Sequence, residues 1–149
     1  MMTRVIAADL HHLQRFIDGQ EGLFEEALAE IGAGSKKAHW MWFIFPQLAG
    51  LGHSPTTQFY AIRSLSEASA YLEHPLLGYR LRQSVEALLT WSGRRTAEQV
   101  LGPIDAVKLR SSLTLFDQVA PDDIFARGLA VFFSGRPDAR TLALLNEQA

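Results

Sequence analysis

Apolar side chains recur every three to four residues through most of this chain. That spacing places them on one face of an α-helix, whereas a half-exposed strand needs strict alternation of apolar and polar residues. No segment sustains such alternation next to a hairpin turn. Glycines and prolines separate the periodic segments and set the ends of helices. The sequence therefore predicts an all-α fold, a compact bundle of about seven to eight short helices.

Helix starts are predicted where a hydroxyl or carboxylate residue precedes an apolar segment. Asp9, Ser66 and Asp138 have this position, and Gly32 marks the end of an early helix. A chain of 149 residues with 48% hydrophobic content is long enough to bury a core of its own. We therefore expect a single helical domain over residues 1–149.

Charge, cysteine content and hydropathy narrow the classes of function. The formal charge of −2 gives no overall attraction to nucleic acid or to an anionic membrane. No stretch reaches the ~18 apolar residues of a membrane span, and the first residues form too short an apolar run for a signal peptide. The chain has no cysteine, which excludes disulfides and thiolate metal sites and fits a reducing cytoplasm. We expect a soluble cytoplasmic protein with no metal and no cofactor.

The aromatic run at residues 39–47 is the segment most suggestive of a site, since it holds two of the three tryptophans. Prolines and glycines between 35 and 57 allow at most a short helix, around residues 40–45, inside a long shaped loop. On a helix, Trp40 and Trp42 would lie about 200° apart and face different ways. Both indoles could pack in the core, or one could serve as a stacking surface for a flat ring.

Imidazole, basic and hydroxyl groups surround this run in the sequence. Folding back around Pro46 would bring His39 and His53 into one cleft, and Asp105 and Lys108 have the spacing of an intrahelical ion pair. Cationic groups beside aromatic and hydroxyl groups are typical of sites for phosphate or carboxylate. We expect a cleft under the aromatic run. Its candidate ligand-binding residues are Lys36, His39, Trp40, Trp42, Gln47, His53, Tyr60, Arg63, Lys108 and Ser111.

Several segments together carry a resemblance to a known family. They are residues 34–54, 60–64, 72–81, 105–116 and 135–142. This pattern resembles the domain-of-unknown-function family 1810, covers nearly the whole chain and implies an all-helical single domain. The family has no settled activity to carry over to particular residues. The calpastatin-like label that some such proteins carry does not fit, because calpastatins resemble disordered inhibitors and 48% hydrophobic content is typical of a folded domain.

The leading hypothesis is a helical domain that binds a small aromatic anion, such as a nucleotide derivative, in this cleft. One alternative is an N-glycosidic hydrolase of NAD- or ADP-ribose-type substrates, since Ser54, Tyr60 and the segment 108–116 are similar in order to elements of helical ADP-ribose-associated domains. Those domains have a glutamate where this chain has Thr57. A second alternative is a protein-interaction module with an exposed aromatic patch. Nothing indicates DNA or RNA binding, and the oligomeric state stays open.

Overall fold

A computed structural model describes residues 8–148, and these residues form ten helices. In chain order the helices are α1 Gln14–Gln20, α2 Phe24–Gly32, α3 Met41–Ile44, α4 Pro55–Tyr60, α5 Leu65–Glu73, α6 Leu77–Leu89, α7 Ala97–Leu101, α8 Pro103–Val119, α9 Ile124–Phe133 and α10 Ala139–Gln148. This part of the chain contains no strand, which confirms the all-α prediction. The helices outnumber the expected seven to eight because α3, α4 and α7 are separate pieces of four to six residues.

Two sequence predictions concern membranes and export. None of the described helices is long and apolar enough to cross a membrane. The expectation that the chain does not begin with a signal peptide falls mostly on residues 1–7, outside the described part of the chain.

Side-chain caps set the helix starts at both ends of the fold. Asp9 accepts hydrogen bonds from the backbone amides of Leu13 and Gln14 at 2.7 and 2.9 Å, so it caps the turn that leads into α1. Asp138 accepts a hydrogen bond from the amide of Thr141 at 2.9 Å and caps α10. The predicted cap at Asp138 is confirmed, whereas Asp9 caps only the turn before α1, whose N-cap residue is Leu13.

The start of α5 differs from the prediction. Ser64, not Ser66, supplies the cap, and its hydroxyl accepts a hydrogen bond from the amide of Glu67 at 3.1 Å. Ser64 has the extended backbone that an N-cap requires, with φ −160°. The helix therefore begins earlier, at Leu65.

Helix α8 lies at the centre of the fold. It has 17 residues and packs against α5, α7, α9 and α10. Residues 111–116 are all buried, so neighbours surround the helix on every side at this level. Ser111 and Thr114 donate hydrogen bonds to backbone carbonyls of the preceding turn at 3.2 and 2.8 Å. The buried hydroxyl of Ser112 has no hydrogen-bond partner among the described residues.

A buried ion pair fastens the turn between α4 and α5 to α1. Arg15 and Glu67 meet at 2.5 Å, and their side chains are only 5% and 3% exposed. The guanidinium also donates to the carbonyls of Phe59 and Ala61 at 2.8 and 2.9 Å. The second carboxylate oxygen of Glu67 accepts a hydrogen bond from the amide of Arg63 at 3.2 Å. The ion pair therefore fixes the backbone of the whole turn.

Two backbone hydrogen bonds join the loop after the aromatic run to the same turn. The amide of Ile62 donates to the carbonyl of Gln47 at 2.8 Å, and the amide of Ala49 donates to the carbonyl of Ile62 at 2.7 Å. Together they make an isolated parallel bridge between Leu48 and Ile62. The loop is thus tied, through the turn, to the buried ion pair.

The ion pair predicts a non-additive pattern of stability. Replacing only Arg15 or only Glu67 by Met leaves one charge buried without its partner, and we expect each change to lower the free energy of unfolding by about 3–5 kcal/mol. In the double variant neither charge is buried without a partner. Its decrease in the free energy of unfolding should therefore be well below the sum of the decreases in the two single variants. Urea unfolding at neutral pH measures all three values, and strictly additive losses would contradict this account.

The unpartnered hydroxyl of Ser112 predicts a stabilising substitution. Ser112→Ala removes a buried hydroxyl that forms no hydrogen bond with the described residues. We therefore expect the free energy of unfolding to rise by about 1 kcal/mol. Thr114→Val is the comparison, because the Thr114 hydroxyl accepts a hydrogen bond from the amide of Asp138 at 2.8 Å. That variant should be destabilised, and the same urea titration measures both.

Candidate functional site

Most of the aromatic run is core. The predicted short helix is present as α3, and Met41, Phe43, Ile44 and Phe45 are buried around it. Trp42 is half-buried and is packed against the edge of the core. The run therefore contributes one partly accessible indole to the surface.

Trp40 was expected in the wall of the cleft, but it is 0% exposed and cannot contact a ligand. Its indole N–H donates to the carboxylate of Glu30 at 2.9 Å. The ammonium group of Lys36 lies over the indole, 5.1 Å from the ring centroid. These two partners satisfy the polar edge and the face of the ring, which makes full burial favourable.

Lys36 was also expected to bind a ligand, and the structure gives it a different role. Its ammonium group is 2.9 Å from a carboxylate oxygen of Asp105, and its side chain is only 8% exposed. The backbone amide of Lys36 donates to the carbonyl of Val100 at 2.7 Å. Lys36 thus joins the start of the aromatic loop to α7 and α8, and its charge is already paired.

Glu30 anchors the same segment, although the sequence only places it on the polar face of α2. A single carboxylate oxygen accepts hydrogen bonds from the amides of Lys37 and Ala38 at 2.8 and 3.0 Å, and from the Trp40 indole. Burial opposes the charged form of Glu30. The three donors and the nearby Lys36 outweigh that effect and hold the pKa of Glu30 below its ordinary value.

The accessible part of the predicted cleft is a groove of about 370 Å³ between the 47–52 loop, the first turns of α8 and the start of α10. We call it the α8 groove. Its lining residues are Gln47, Leu51, Gly52, Thr57, Ile104, Val107, Lys108, Ser111, Asp138 and Arg140. A small recess next to it shares Gln47 and Thr57 and is lined also by Trp42 and Tyr60. Five predicted residues therefore lie in or beside one groove.

Two cationic side chains line the α8 groove, and both have N–H donors that are not used in hydrogen bonds to the described residues. Lys108 is 3.6 Å from Asp105, a long ion pair, and its ammonium group lies 5.6 Å from the centroid of the Trp42 ring. One guanidinium nitrogen of Arg140 donates to the carbonyl of Gly50 at 3.3 Å. A guanidinium has five N–H donors, so most of the hydrogen-bonding capacity of Arg140 is left over.

One acid faces the same groove. A carboxylate oxygen of Asp138 accepts hydrogen bonds from the amide and the hydroxyl of Thr141, at 2.9 and 2.5 Å. Thr57, Asp138 and Arg140 were absent from the candidates chosen from the sequence. Thr57 lies ten residues after the aromatic run, whereas Asp138 and Arg140 come from a distant segment that only the packing of α10 on α8 brings to the groove.

The remaining candidates are spread over different surfaces. His39 is exposed beside Trp42, with 6.5 Å between the ring centroids. His53 and Arg63 line another recess, of about 310 Å³, together with Gly50 and the turn after α4. The structure therefore does not place His39 and His53 around one pocket, although the recess of His53 shares Gly52 and Thr57 with the α8 groove.

Tyr60 links the groove to the core. Its ring packs against Phe16 and Phe43, with centroid separations of 5.9 and 5.4 Å. Burial raises the pKa of Tyr60, the negative charge of Asp18 raises it further, and Arg15 lowers it less strongly. The phenol is therefore protonated at neutral pH and available as a hydrogen-bond donor.

Metal binding finds no support in the geometry. Within residues 8–148, no three side chains of the ligating types His, Asp or Glu come together as a metal ion would require. The polar groups in the α8 groove are instead two cations, one carboxylate, an amide and two hydroxyls. Such a set is suited to hydrogen bonding and to charge pairing.

Ten helices, with α8 at the centre and a polar groove beside it, define a small all-α domain. The model of a family described as a protein of unknown function, DUF1810, matches residues 10–145, so the chain belongs to that family. The resemblance predicted from the sequence is confirmed. The crystal structure of the conserved hypothetical protein Rv1873 from Mycobacterium tuberculosis is similar, with 44% identity and a TM-score of 0.89 over 93% of this chain and 99% of that chain. No curated protein matches the chain.

The lowered pKa of Glu30 predicts how the anchoring of the aromatic run depends on pH. A carboxylate with a depressed native pKa stabilises the fold above its unfolded value, near 4.5, and this contribution is lost as the pH falls through the native value. Glu30→Gln should therefore be less stable than wild type at pH 7, and the difference should shrink below about pH 4.5. Thermal unfolding between pH 3 and 7 measures this, with the exposed Glu25→Gln on the same helix as control. A difference independent of pH would contradict the assignment.

Proposed function

We propose that the α8 groove binds a small aromatic anion of the mononucleotide class, and that it does so in the cytoplasm, as the lack of cysteine suggests. The observation that carries the proposal is the meeting of two incompletely paired cations, Lys108 and Arg140, in one groove next to the half-buried Trp42. Cations, an indole edge and neutral hydrogen-bonding groups are what a phosphate joined to a flat ring needs.

Lys108 and Arg140 form the phosphate end in this proposal. Hydrogen bonds between cationic donors and phosphate oxygens are stronger than neutral ones, at about 1.5–3 kcal/mol each. Arg140 approaches from α10 and Lys108 from α8. A phosphate held between them would therefore bridge the two helices.

Trp42 and Gln47 form the ring end. Stacking of a base on an aromatic side chain contributes about 1–3 kcal/mol. The recess lined by Trp42 and Tyr60 holds only about 10 Å³, the space of a single water molecule. The ring would therefore lie in the main groove, against the accessible part of Trp42. The amide of Gln47 carries both a donor and an acceptor, which suits the polar edge of a base.

The size of the groove favours a mononucleotide over a dinucleotide. Small-molecule sites span about 300–1,000 Å³, and about 370 Å³ is close to the lower end.

The hydrolase alternative has less support. Asp138 is the one carboxylate that lines the groove, and it already caps α10. The helical ADP-ribose-associated domains have a glutamate at the position of Thr57, and a threonine side chain cannot act as a carboxylic acid.

One observation favours the protein-interaction alternative. Ile104 and Val107 on α8 are 74% and 62% exposed at the rim of the groove. They are one helical turn apart and so lie on the same face. A partner docked there would cover the groove without needing Arg140 as an anion receptor.

The ligand hypothesis makes a prediction for binding at low salt. Adenosine 5′-monophosphate should raise the melting temperature of the wild type. Lys108→Met and Arg140→Gln should each weaken its affinity about tenfold or more, because each removes a charge-assisted hydrogen bond. Lys108→Met retains the alkyl chain beside Trp42, so the loss reports charge and not packing. Isothermal titration calorimetry measures the affinities.

Lys37→Met is the matched control, because Lys37 is exposed and does not line the groove. Its affinity should equal that of the wild type. The proposal fails if no nucleoside monophosphate binds the wild type, or if Lys37→Met weakens binding as much as Lys108→Met does. An Ile104→Ser, Val107→Ser double variant that alters self-association while the nucleotide has no effect would support the interaction alternative instead.

A further inference from the structure

We propose that Asp138 is the specificity-determining residue of the α8 groove, and that it accepts hydrogen bonds from sugar hydroxyls of the ligand. The groove would then select a ribose-bearing anion of low charge over a deoxy analogue or a polyphosphate. This inference rests on the proposed function and names the substrate class more closely.

The two oxygens of the Asp138 carboxylate have different surroundings. One is occupied, since it accepts both the amide and the hydroxyl of Thr141. The other makes no hydrogen bond with any other described residue, although the side chain lines the groove and is half-buried. An ionised carboxylate is an acceptor only, so the free oxygen requires a donor from solvent or from a ligand.

The position of Asp138 is fixed from both sides. Its backbone amide donates to the hydroxyl of Thr114 on α8 at 2.8 Å. Its carboxylate is held by Thr141, which is 0% exposed. Because the backbone and one oxygen are both restrained, the second oxygen has a defined direction. A group placed in this way discriminates between ligands more sharply than a mobile surface acid.

The charges of the groove limit the charge of its ligand. Lys108 and Arg140 contribute two positive charges, and Asp138 contributes one negative charge. The lining therefore has one net positive charge, which offsets most of the charge of a phosphomonoester, about −1.5 to −2 at neutral pH. Each further charge on a polyphosphate would meet the carboxylate of Asp138 at short range, where like charges repel.

Vicinal hydroxyls suit the free oxygen of Asp138. Carboxylates pair with the hydroxyls of ribose in other nucleotide sites, because one oxygen accepts O–H donors directly. A ligand that lacks these hydroxyls leaves the carboxylate desolvated without a partner, so a site built on hydroxyl contacts rejects it. With Asp138 half-exposed, we expect a preference of about tenfold, far below that of a closed site.

The test compares adenosine 5′-monophosphate with its 2′,3′-dideoxy analogue by calorimetry at low salt. The wild type should bind the ribonucleotide about tenfold more tightly. In Asp138→Asn the amide oxygen has to remain on the Thr141 amide to cap α10, which turns the NH₂ group, a donor, towards the groove. A sugar hydroxyl can still accept a hydrogen bond from this group, so the preference should be reduced and not abolished.

Asp123→Asn is the matched control, because Asp123 also caps a helix, through the amide of Ile124, and does not line the groove. It should keep the wild-type preference. Asp138→Ser is the decisive variant, since serine also caps a helix but is too short to reach the ligand, and it should lose the preference. Circular dichroism melts verify that each variant is folded.

The outcomes separate this inference from the proposed function. If the wild type binds both nucleotides with equal affinity, the role of Asp138 is overturned and nucleotide binding stands. If the folded Asp138→Ser variant keeps the tenfold preference, the role is likewise overturned. If the wild type binds neither compound, the proposed function fails, and the inference about Asp138 fails with it.

Discussion

Residues 111–116 of α8 are enclosed on all sides, and this enclosure determines how the rest of the chain is arranged. A helix without an exposed face needs partners all around it, and short helices meeting at different angles supply them more readily than a few long ones. The hydroxyls of Ser111 and Thr114 donate hydrogen bonds to backbone carbonyls of α8 itself. The first turns and the last residues of α8 reach solvent, and the groove lies at the first turns.

The aromatic run serves mainly to complete this core, and its polar neighbours serve to hold it there. Glu30 accepts the hydrogen bond of the Trp40 indole, and Lys36 forms an ion pair with Asp105. Neither side chain is therefore available to a ligand. A sequence segment dense in tryptophan, lysine and histidine thus yields only one partly accessible indole, Trp42. The chemistry of the surface comes instead from groups that reach it from α8 and α10.

The sequence was sufficient to predict the all-α fold, the cap at Asp138 and the family, because periodicity and capping are local signals. Two site candidates failed for a non-local reason. Trp40 and Lys36 look available in the sequence, but their partners Glu30 and Asp105 are selected by tertiary packing. No spacing rule could have placed Arg140 in the groove, since its position depends on how α10 docks. Lys108, Gln47 and Ser111 were found because they lie close to conspicuous motifs.

The bridge between Leu48 and Ile62 has a kinetic and an entropic consequence. The loop bearing Gln47 is held by two backbone hydrogen bonds and, behind them, by the buried pair of Arg15 and Glu67. One wall of the groove is therefore preorganised. Binding of a ligand would not require a flexible segment to become ordered. The loss of conformational entropy on binding, which weakens affinity, would therefore be small. Association would also need no slow closing step, and would be set by diffusion and by the charges at the entrance.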